Sequence, residues 1–361
     1  INECLTNLRQ YQAKLLQALK FIKEICDEGS LSYFLFYGTL LGAVRHNGFI
    51  PWDDDADVAM PRKDYDWLIA HANEVIKEPY FLQTQESDEN VFYGGYAKLY
   101  DKSTMDTEKV WIDILPLDYL GEDAQKQFGH INKVQKLLFA KTYGKYADQY
   151  RDMGKKEWAA LQKEGTFYSR DSLCKKLHKL MVGENGEETK CCAILGRYYY
   201  SFDNMAVFDN DMFGGGEEHY FENELFRVPK RFDACLERIY GKNYMDLPGV
   251  LKRVPKHILR NPHSYKGGFS ECTYQKESGY IKIRGWFMPK VKKIEIWDEK
   301  GKLCEANIGI MREDVWRNYP EYNIKDSGWQ YEGSVKKGLS EIYLNVIFED
   351  GGENIVTRRL Q

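Results

Sequence analysis

Hydrophobic periodicity changes once along this chain, near Pro262, and the change calls for two folding units of different kinds. Upstream, Leu5, Leu8, Leu15, Leu16, Leu19, Ile22, Ile25 and Cys26 recur at helical spacing, so a long amphipathic helix is expected, ended by Gly29. A strand-length aromatic run at 33–37, a short helix at 40–45, an alternating stretch at 55–60 and a helix opened by Pro61 come next. Strands are expected at 80–83, 96–100 and 110–115, and residues 124–197 read as helical pieces broken by glycine. A strand ending at Pro229 then leads into a helix ending at Gly241. Downstream, short alternating segments at 280–287, 293–297, 329–335, 341–348 and 354–358 carry the signature of an all-β, immunoglobulin-like sandwich. The expected organisation is α+β over 1–264, with a helical insertion at about 122–200, followed by a β-sandwich over 265–361.

Charge excludes one class of partner. The net charge is −4 and the basic residues form no long run, so nucleic acid is not an expected ligand. No stretch approaches the roughly 20 apolar residues that a membrane span needs, and the amino terminus lacks a signal-peptide pattern. The expectation is a soluble cytoplasmic protein, with association at the inner face of the membrane, self-association and a missing leading segment left open, since numbering starts at Ile1. The eight cysteines are scattered outside any metal-binding spacing and are expected to be reduced core filler. Most of the 26 tyrosines are expected in cores, although Tyr198, Tyr199 and Tyr200 suit a sugar or quaternary-ammonium site. Trp286, Trp297, Trp316 and Trp329 are more simply sandwich core than a sugar-stacking platform.

Chemistry concentrates between Gly38 and Asp57. If 55–60 is a strand, Asp55 and Asp57 point to one side and present both carboxylates to one place. Such anions conflict unless a cation lies between them, and hard oxygen ligands select magnesium or manganese. Asp113, alone in the apolar segment Trp111-Ile112-Asp113-Ile114, is costly to place without a metal or cation and is the expected third ligand. Gly38 and Thr39, a glycine turn opening a helix, aim backbone amides at an anion such as phosphate, and Arg45 is placed to add a charged contact. A calcium loop starting at Asp53 is disfavoured, because its sixth position is Val58 and its twelfth Asp64.

These segments, Gly38-Thr39-Leu40-Leu41-Gly42 through Arg45, Trp52-Asp53-Asp54-Asp55-Ala56-Asp57 and Ile112-Asp113-Ile114-Leu115-Pro116-Leu117-Asp118, resemble the motifs of the LicD family, to which the fukutin-related catalytic domains are similar. The resemblance covers about residues 5–260 and implies a polymerase-β-like nucleotidyltransferase core, a mixed sheet with flanking helices. It implies that Asp55, Asp57 and Asp113 are the catalytic, metal-binding carboxylates, and that Gly38, Thr39, Arg45 and Trp52 lie on the substrate side. Lys98 and Thr104, in a Lys-Leu-Tyr-Asp-Lys-Ser-Thr segment similar to the family's basic strand, would hold donor phosphate. Phe226 to Pro229, Tyr240-Gly241, Tyr244-Met245 and Pro248, with His257 beyond, look like the family's closing segment, and Gly214 to Glu218 departs from the family's pattern, leaving acceptor contacts open. The implied reaction is metal-dependent transfer of phosphocholine from CDP-choline to a glycan or lipid-linked oligosaccharide hydroxyl, with magnesium or manganese and release of CMP. Ribitol or glycerol phosphate from a CDP-polyol is the alternative head group. Nucleotidyl transfer to a sugar phosphate and a non-catalytic glycan-binding adaptor are the competing readings.

Overall fold

A computed structural model of the chain describes residues 2–105, 109–143, 155–182, 189–197, 201–249, 266–288, 290–298, 300–318, 324–349 and 353–360. Contacts divide it into two compact units, Ile1–Asp246 and Leu247–Gln361. The expected boundary near 265 borders residues 250–265, which lie outside the described residues, as do Tyr198 to Tyr200 and His257. Among the described residues, no helix is long and apolar enough to cross a membrane, and Cys26, Cys174, Cys191, Cys192, Cys235, Cys272 and Cys304 are free thiols.

The first unit is mixed α+β. Its elements run α1 (Asn2–Gly29), β1 (Phe34–Leu35), α2 (Tyr37–His46), β2 (Asp57–Pro61), α3 (Arg62–Ala70), α4 (Ala72–Val75), β3 (Tyr80–Gln83), β4 (Ala97–Asp101) and β5 (Trp111–Tyr119). They continue with α5 (Ala124–Tyr143), α6 (Lys155–Gly165), α7 (Arg170–Val182), β6 (Cys191–Ala193), β7 (Phe208–Asp209), the hairpin β8 (Glu217–Phe221) and β9 (Glu224–Val228), and α8 (Phe232–Tyr240). The seven-stranded sheet has the order β1-β2-β5-β4-β3, with β6 on β5 and β7 on β6. Among the described residues of this sheet, β2 and β5 alone pair in parallel, and these two carry Asp57 and Asp113.

The sheet has its α1 cover because Leu15, Ala18, Leu19, Ile22 and Cys26 share one face of α1 and are fully buried. The helical insertion forms its own cluster, in which Ile131, Val134 and Leu138 of α5 meet Leu173, Leu177 and Met181 of α7. Its three helices match the expected pieces, but β6 interrupts the stretch that was expected to stay helical to Arg197.

One buried ion pair ties α3 to the sheet. Arg62 Nε donates to Asp118 Oδ1 at 2.6 Å, and Arg62 Nη1 reaches Asp66 Oδ1 at 3.1 Å. The two groups balance burial against attraction differently: burial outweighs the guanidinium and pushes the Asp118 carboxyl up to about 6, while burial of Arg62 is more than offset by Asp118 and its charge is held firmly. With the donor and acceptor this close, the ion pair is the arrangement we assign at neutral pH. Asp118→Ala leaves a guanidinium buried with only an edge partner and is expected to cost about 3–5 kcal/mol of stability. Urea melts read this directly, and a change below about 1 kcal/mol would mean that water reaches Arg62.

The second unit consists of two antiparallel four-stranded sheets around one core. Its strands are β10 (Lys266–Gln275), β11 (Tyr280–Met288), β12 (Val291–Asp298), β13 (Gly301–Glu305), β14 (Asn307–Ile310), β15 (Gly328–Ser334), β16 (Glu341–Phe348) and β17 (Glu353–Arg359), with a short helix α9 (Glu313–Asn318) before β15. The sheet orders are β10-β11-β15-β14 and β13-β12-β16-β17. Alternation explains the packing: Ile281, Ile283 and Phe287 of one sheet face Ile294, Ile296, Ile342, Leu344 and Val346 of the other. Of the four tryptophans expected in this core, Trp329 is the fully buried one, stacked on Phe287 with centroids 5.9 Å apart.

Candidate functional site

The register of the sheet assembles a row of charges. Parallel pairing sets Asp57 at the start of β2 beside Asp113 on β5, and antiparallel pairing sets Lys98 of β4 beside Asp113 on the other side. Directly opposed residues of neighbouring strands share a face, so Asp57, Asp113 and Lys98 form one line across β2-β5-β4. The backbone fixes the left end of this line. The Asp113 N–H donates to the Ala56 carbonyl at 2.9 Å, the Phe36 N–H donates to the Asp57 carbonyl at 3.0 Å, and the Asp57 N–H donates to Thr39 Oγ1 at 2.8 Å. Thr39 is itself buried, so its hydroxyl ties the first turn of α2 to the first residue of β2.

At the right end, Lys98 Nζ pairs with Asp113 Oδ1. The same ammonium lies 5.0 Å from the Trp111 ring centroid, 5.3 Å from that of Tyr93 and 5.5 Å from that of Tyr96. Three ring faces and a carboxylate are the surroundings that hold an alkylammonium most firmly. The cage is thus filled by the chain's own lysine.

Three further carboxylates precede the row. Asp53, Asp54 and Asp55 each offer an oxygen within 4.8 Å of the other two, and this is the trio that lies close enough among the described residues to share an ion. Gln12 of α1 steadies their loop, its Nε2 donating to the carbonyls of Asp53 at 2.7 Å and Ile50 at 3.2 Å. Asp55 was expected on a strand with Asp57, but β2 starts only at Asp57 and Asp55 belongs to the preceding loop. The reason is local: Pro51 and Trp52 make a turn, and consecutive aspartates favour turn conformations over a ladder. The two side chains nevertheless interact, since burial first, then the charges of Asp55 and Asp113, push the Asp57 carboxyl well above the ordinary carboxylate range.

Arg197 opposes that push and lowers the proton affinity of Asp57. Its guanidinium stands 4.9 Å over the ring of Tyr37, which opens α2 with a positive φ of 41° that is uncommon for an aromatic residue. Tyr96 and Tyr240 also feel the cluster. Desolvation, then Asp113, raises the Tyr96 phenol, and desolvation, then Asp57 and Asp53, raises that of Tyr240, whose side chain still keeps a solvent-facing edge. None of Arg197, Tyr93, Tyr96 or Tyr240 was expected at the site. Only glycines at 94, 95 and 196 hinted at it, by marking close backbone approach.

That approach is visible directly. A Cβ on Gly196 would stand 2.8 Å from the Gly95 carbonyl oxygen, and one on Gly94 would overlap the Gly196 carbonyl. Buried Gln135 of α5 sits over the junction, its Nε2 facing the carbonyls of Gly94, Leu195 and Gly196 at 3.0, 3.2 and 3.3 Å. The loop with Tyr93 and Tyr96 and the loop with Arg197 are therefore held as one piece by the helical insertion.

The remaining expected residues have the following placements. Gly38 is in the first turn of α2, whose N–H groups have no carbonyl within the helix, and a Cβ there would come 2.7 Å from Asp53 Oδ2. Arg45 Nη1 donates to the carbonyls of Tyr244 at 2.9 Å and Asp246 at 3.1 Å, so it anchors the segment after α8. Trp52 is half-buried, edge-on to His46 at 6.0 Å. Thr104 Oγ1 donates to the Asp101 carbonyl at 2.7 Å and accepts from the Val110 N–H at 2.9 Å, closing the turn between β4 and β5. Chemically, the site offers clustered hard oxygens for a divalent cation, a helix start for an anion, and fixed cations on either side.

Residues 30–150 match a family model described as LicD/FKTN/FKRP, nucleotidyltransferase domain. The lipopolysaccharide cholinephosphotransferase LicD of Haemophilus influenzae is 28% identical over 262 residues, which cover 70% of this chain and 96% of that protein. The ribitol 5-phosphate transferase FKRP of Mus musculus and that of Homo sapiens are each 26% identical over 113 residues, covering 27% of this chain and 23% of theirs.

Proposed function

We infer, since this chain belongs to the LicD family, that it is a phosphotransferase acting on glycans, and that it moves phosphocholine from CDP-choline to a hydroxyl of a cell-surface glycan of the teichoic acid, capsule or lipopolysaccharide type. The observation that carries this reading is the row of Asp57, Asp113 and Lys98, flanked by the Asp53 to Asp55 cluster and Arg197.

The crowding of Asp57 by neighbouring carboxylates fits a divalent cation, because like charges in a desolvated place are otherwise relieved only by protonation. Asp55, Asp57 and Asp113 would hold magnesium or manganese, which when bound supplies Lewis-acid stabilisation of the donor diphosphate. The protein's own groups do the rest. The first turn of α2 presents backbone amides to donor phosphate, and Arg197 balances negative charge from the opposite side. Lys98 holds Asp113 Oδ1 so that the carboxylate keeps one orientation. The acceptor oxygen attacks the phosphorus of the head group, its proton passes to Asp113, and the phosphorus–oxygen bond to CMP breaks.

The choice of choline rests on the Haemophilus relative. The aromatic cage cannot receive a choline while Lys98 fills it. The FKRP relatives favour the second reading, ribitol phosphate from a CDP-polyol. The deciding experiment offers the chain CDP-choline, CDP-ribitol and CDP-glycerol in turn, with magnesium and a lipopolysaccharide or teichoic acid acceptor, and measures CMP release and label on the glycan. CDP-choline is expected to dominate by at least about tenfold in kcat/KM, which is about 1.4 kcal/mol at the transition state. Turnover of no CDP donor, with or without metal, would refute the transferase reading.

A further inference from the structure

The second unit contains a cavity that the transfer chemistry does not use. It encloses about 190 Å³ where β12, β14 and β15 meet the end of β16, and its wall includes Val291, Ile308, Asp326, Ser327, Trp329 and Glu349. Two irregularities open it. The β12–β16 ladder shifts register between Val291 and Lys293, and the β14–β15 ladder shifts between Ile308 and Ile310, with Gly309 at a φ of 78°. An extra residue in a strand bends it and breaks the ladder, and such bulges are concentrated beside binding sites. Here one bulge in each sheet borders the same space.

Two buried groups in the wall lack a partner among the described residues. Ser327 is 5% exposed and Trp329 is 2% exposed, yet Ser327 Oγ and Trp329 Nε1 make no hydrogen bond there. A buried donor left unmade costs about 1–3 kcal/mol, so two in one small wall are an expense that a ligand would remove. At the mouth, Lys290 Nζ lies 3.8 Å from a carboxylate oxygen of Asp326 and 3.8 Å from one of Glu349, too far for either to be a hydrogen bond. These three charged groups thus retain capacity for other partners.

The lining selects among ligand classes. The lining sets Lys290 and Lys292 against Asp326 and Glu349, so neither an anion nor a metal ion meets charge of one sign there. An apolar group would seal Ser327 and Trp329 without partners. A polyhydroxyl compound satisfies all of them, because each hydroxyl both donates to a carboxylate and accepts from an O–H or N–H. At roughly 30 Å³ per water the volume equals about six waters, which is room for one sugar ring and too little for a nucleotide.

We propose that this cavity is a binding subsite for a single saccharide unit of a glycan chain, which makes the second unit a carbohydrate-holding module. The proposal does not depend on the identity of the transferred group. Its test uses the full chain and saturation-transfer difference NMR with D-glucose, D-galactose and N-acetylgalactosamine, backed by a glycan array. At least one sugar is expected to bind saturably. Asp326→Asn combined with Glu349→Gln should weaken that binding at least tenfold, and Ser327→Ala should weaken it severalfold, with unchanged melting temperatures because Asp326 and Glu349 are surface carboxylates. Asp57→Asn, which disables the first unit, should bind the sugar as the parent does, so failure of transfer and failure of this site are separable. Absence of binding to every sugar tested, or binding that survives the Asp326 and Glu349 changes, would overturn the proposal.

Discussion

Asp57→Asn is expected to abolish transfer and at the same time to raise the melting temperature of the metal-free chain. The two effects have one origin. Asp57 is desolvated and surrounded by Asp55, Asp113 and Asp53, with Arg197 as the opposing charge, so its ionised form is held at a cost. A neutral amide of the same shape removes that repulsion and keeps the strand, and gains of about 0.5–2 kcal/mol are usual when a functional site is relieved in this way. The loss of function comes from the same carboxylate, since a cation that polarises a phosphoryl oxygen supplies several kcal/mol at the transition state. About 4 kcal/mol corresponds to a drop of roughly a thousandfold in kcat. Magnesium should stabilise the parent protein in thermal melts through linkage and leave the variant almost unmoved. A variant that transfers at a near-parental rate, or that melts lower than its parent without metal, would remove Asp57 from the role assigned to it.

Lys98→Met separates a phosphate-binding lysine from one that serves Asp113. Methionine fills the cage of Tyr93, Tyr96 and Trp111 without charge, while Asp113 loses its fixed partner. Groups that orient a metal-binding carboxylate commonly contribute 10–100-fold, so kcat is expected to fall by about that factor. Magnesium binding should nevertheless tighten. The row Asp57, Asp113 and Lys98 passes from one net negative charge to two when the lysine is replaced. A unit charge acting at about 6 Å through an effective dielectric of about 20 is worth roughly 3 kcal/mol, enough for at least about a tenfold change. Isothermal titration calorimetry gives the affinity and single-turnover kinetics give the rate. A raised KM for the CDP donor with unchanged kcat would instead place the lysine on donor phosphate.

The strands that bear chemistry were readable because each combines an apolar run with an isolated charge. Asp57 and Asp113 stand out against Val58, Ala59 and Met60 and against Ile112 and Ile114, and pairing brings the two strands side by side. Asp55 shows the limit of that logic, since a period of two was read through a stretch in which the ladder had not yet begun. β9 is the strand expected to end at Pro229, whereas its hairpin partner β8 escaped for a different reason. Its two-residue turn, Glu222 and Asn223, has φ values of 51° and 68°, the primed geometry that asparagine-glycine normally announces. Glutamate in that place gives no turn signal. In the second unit, β11, β12, β15, β16 and β17 alternate visibly, whereas β13 and β14 are short and have no fully buried residue to betray them. Arg197 lies 140 positions from Asp57 in the chain, and nothing local distinguishes it from a surface arginine. Its place is a property of the packed loops.

That packing bears on which exchanges the site tolerates. Tyr93 and Tyr96 belong to one loop, Arg197 to another, and Gly95 and Gly196 press the two together beneath Gln135. A chimaera that imports residues 93–96 alone from a relative would carry side chains cut to fit a different neighbour. Three stretches far apart in the sequence, the two loops and the facing turn of α5, would have to be exchanged as a set to keep that contact.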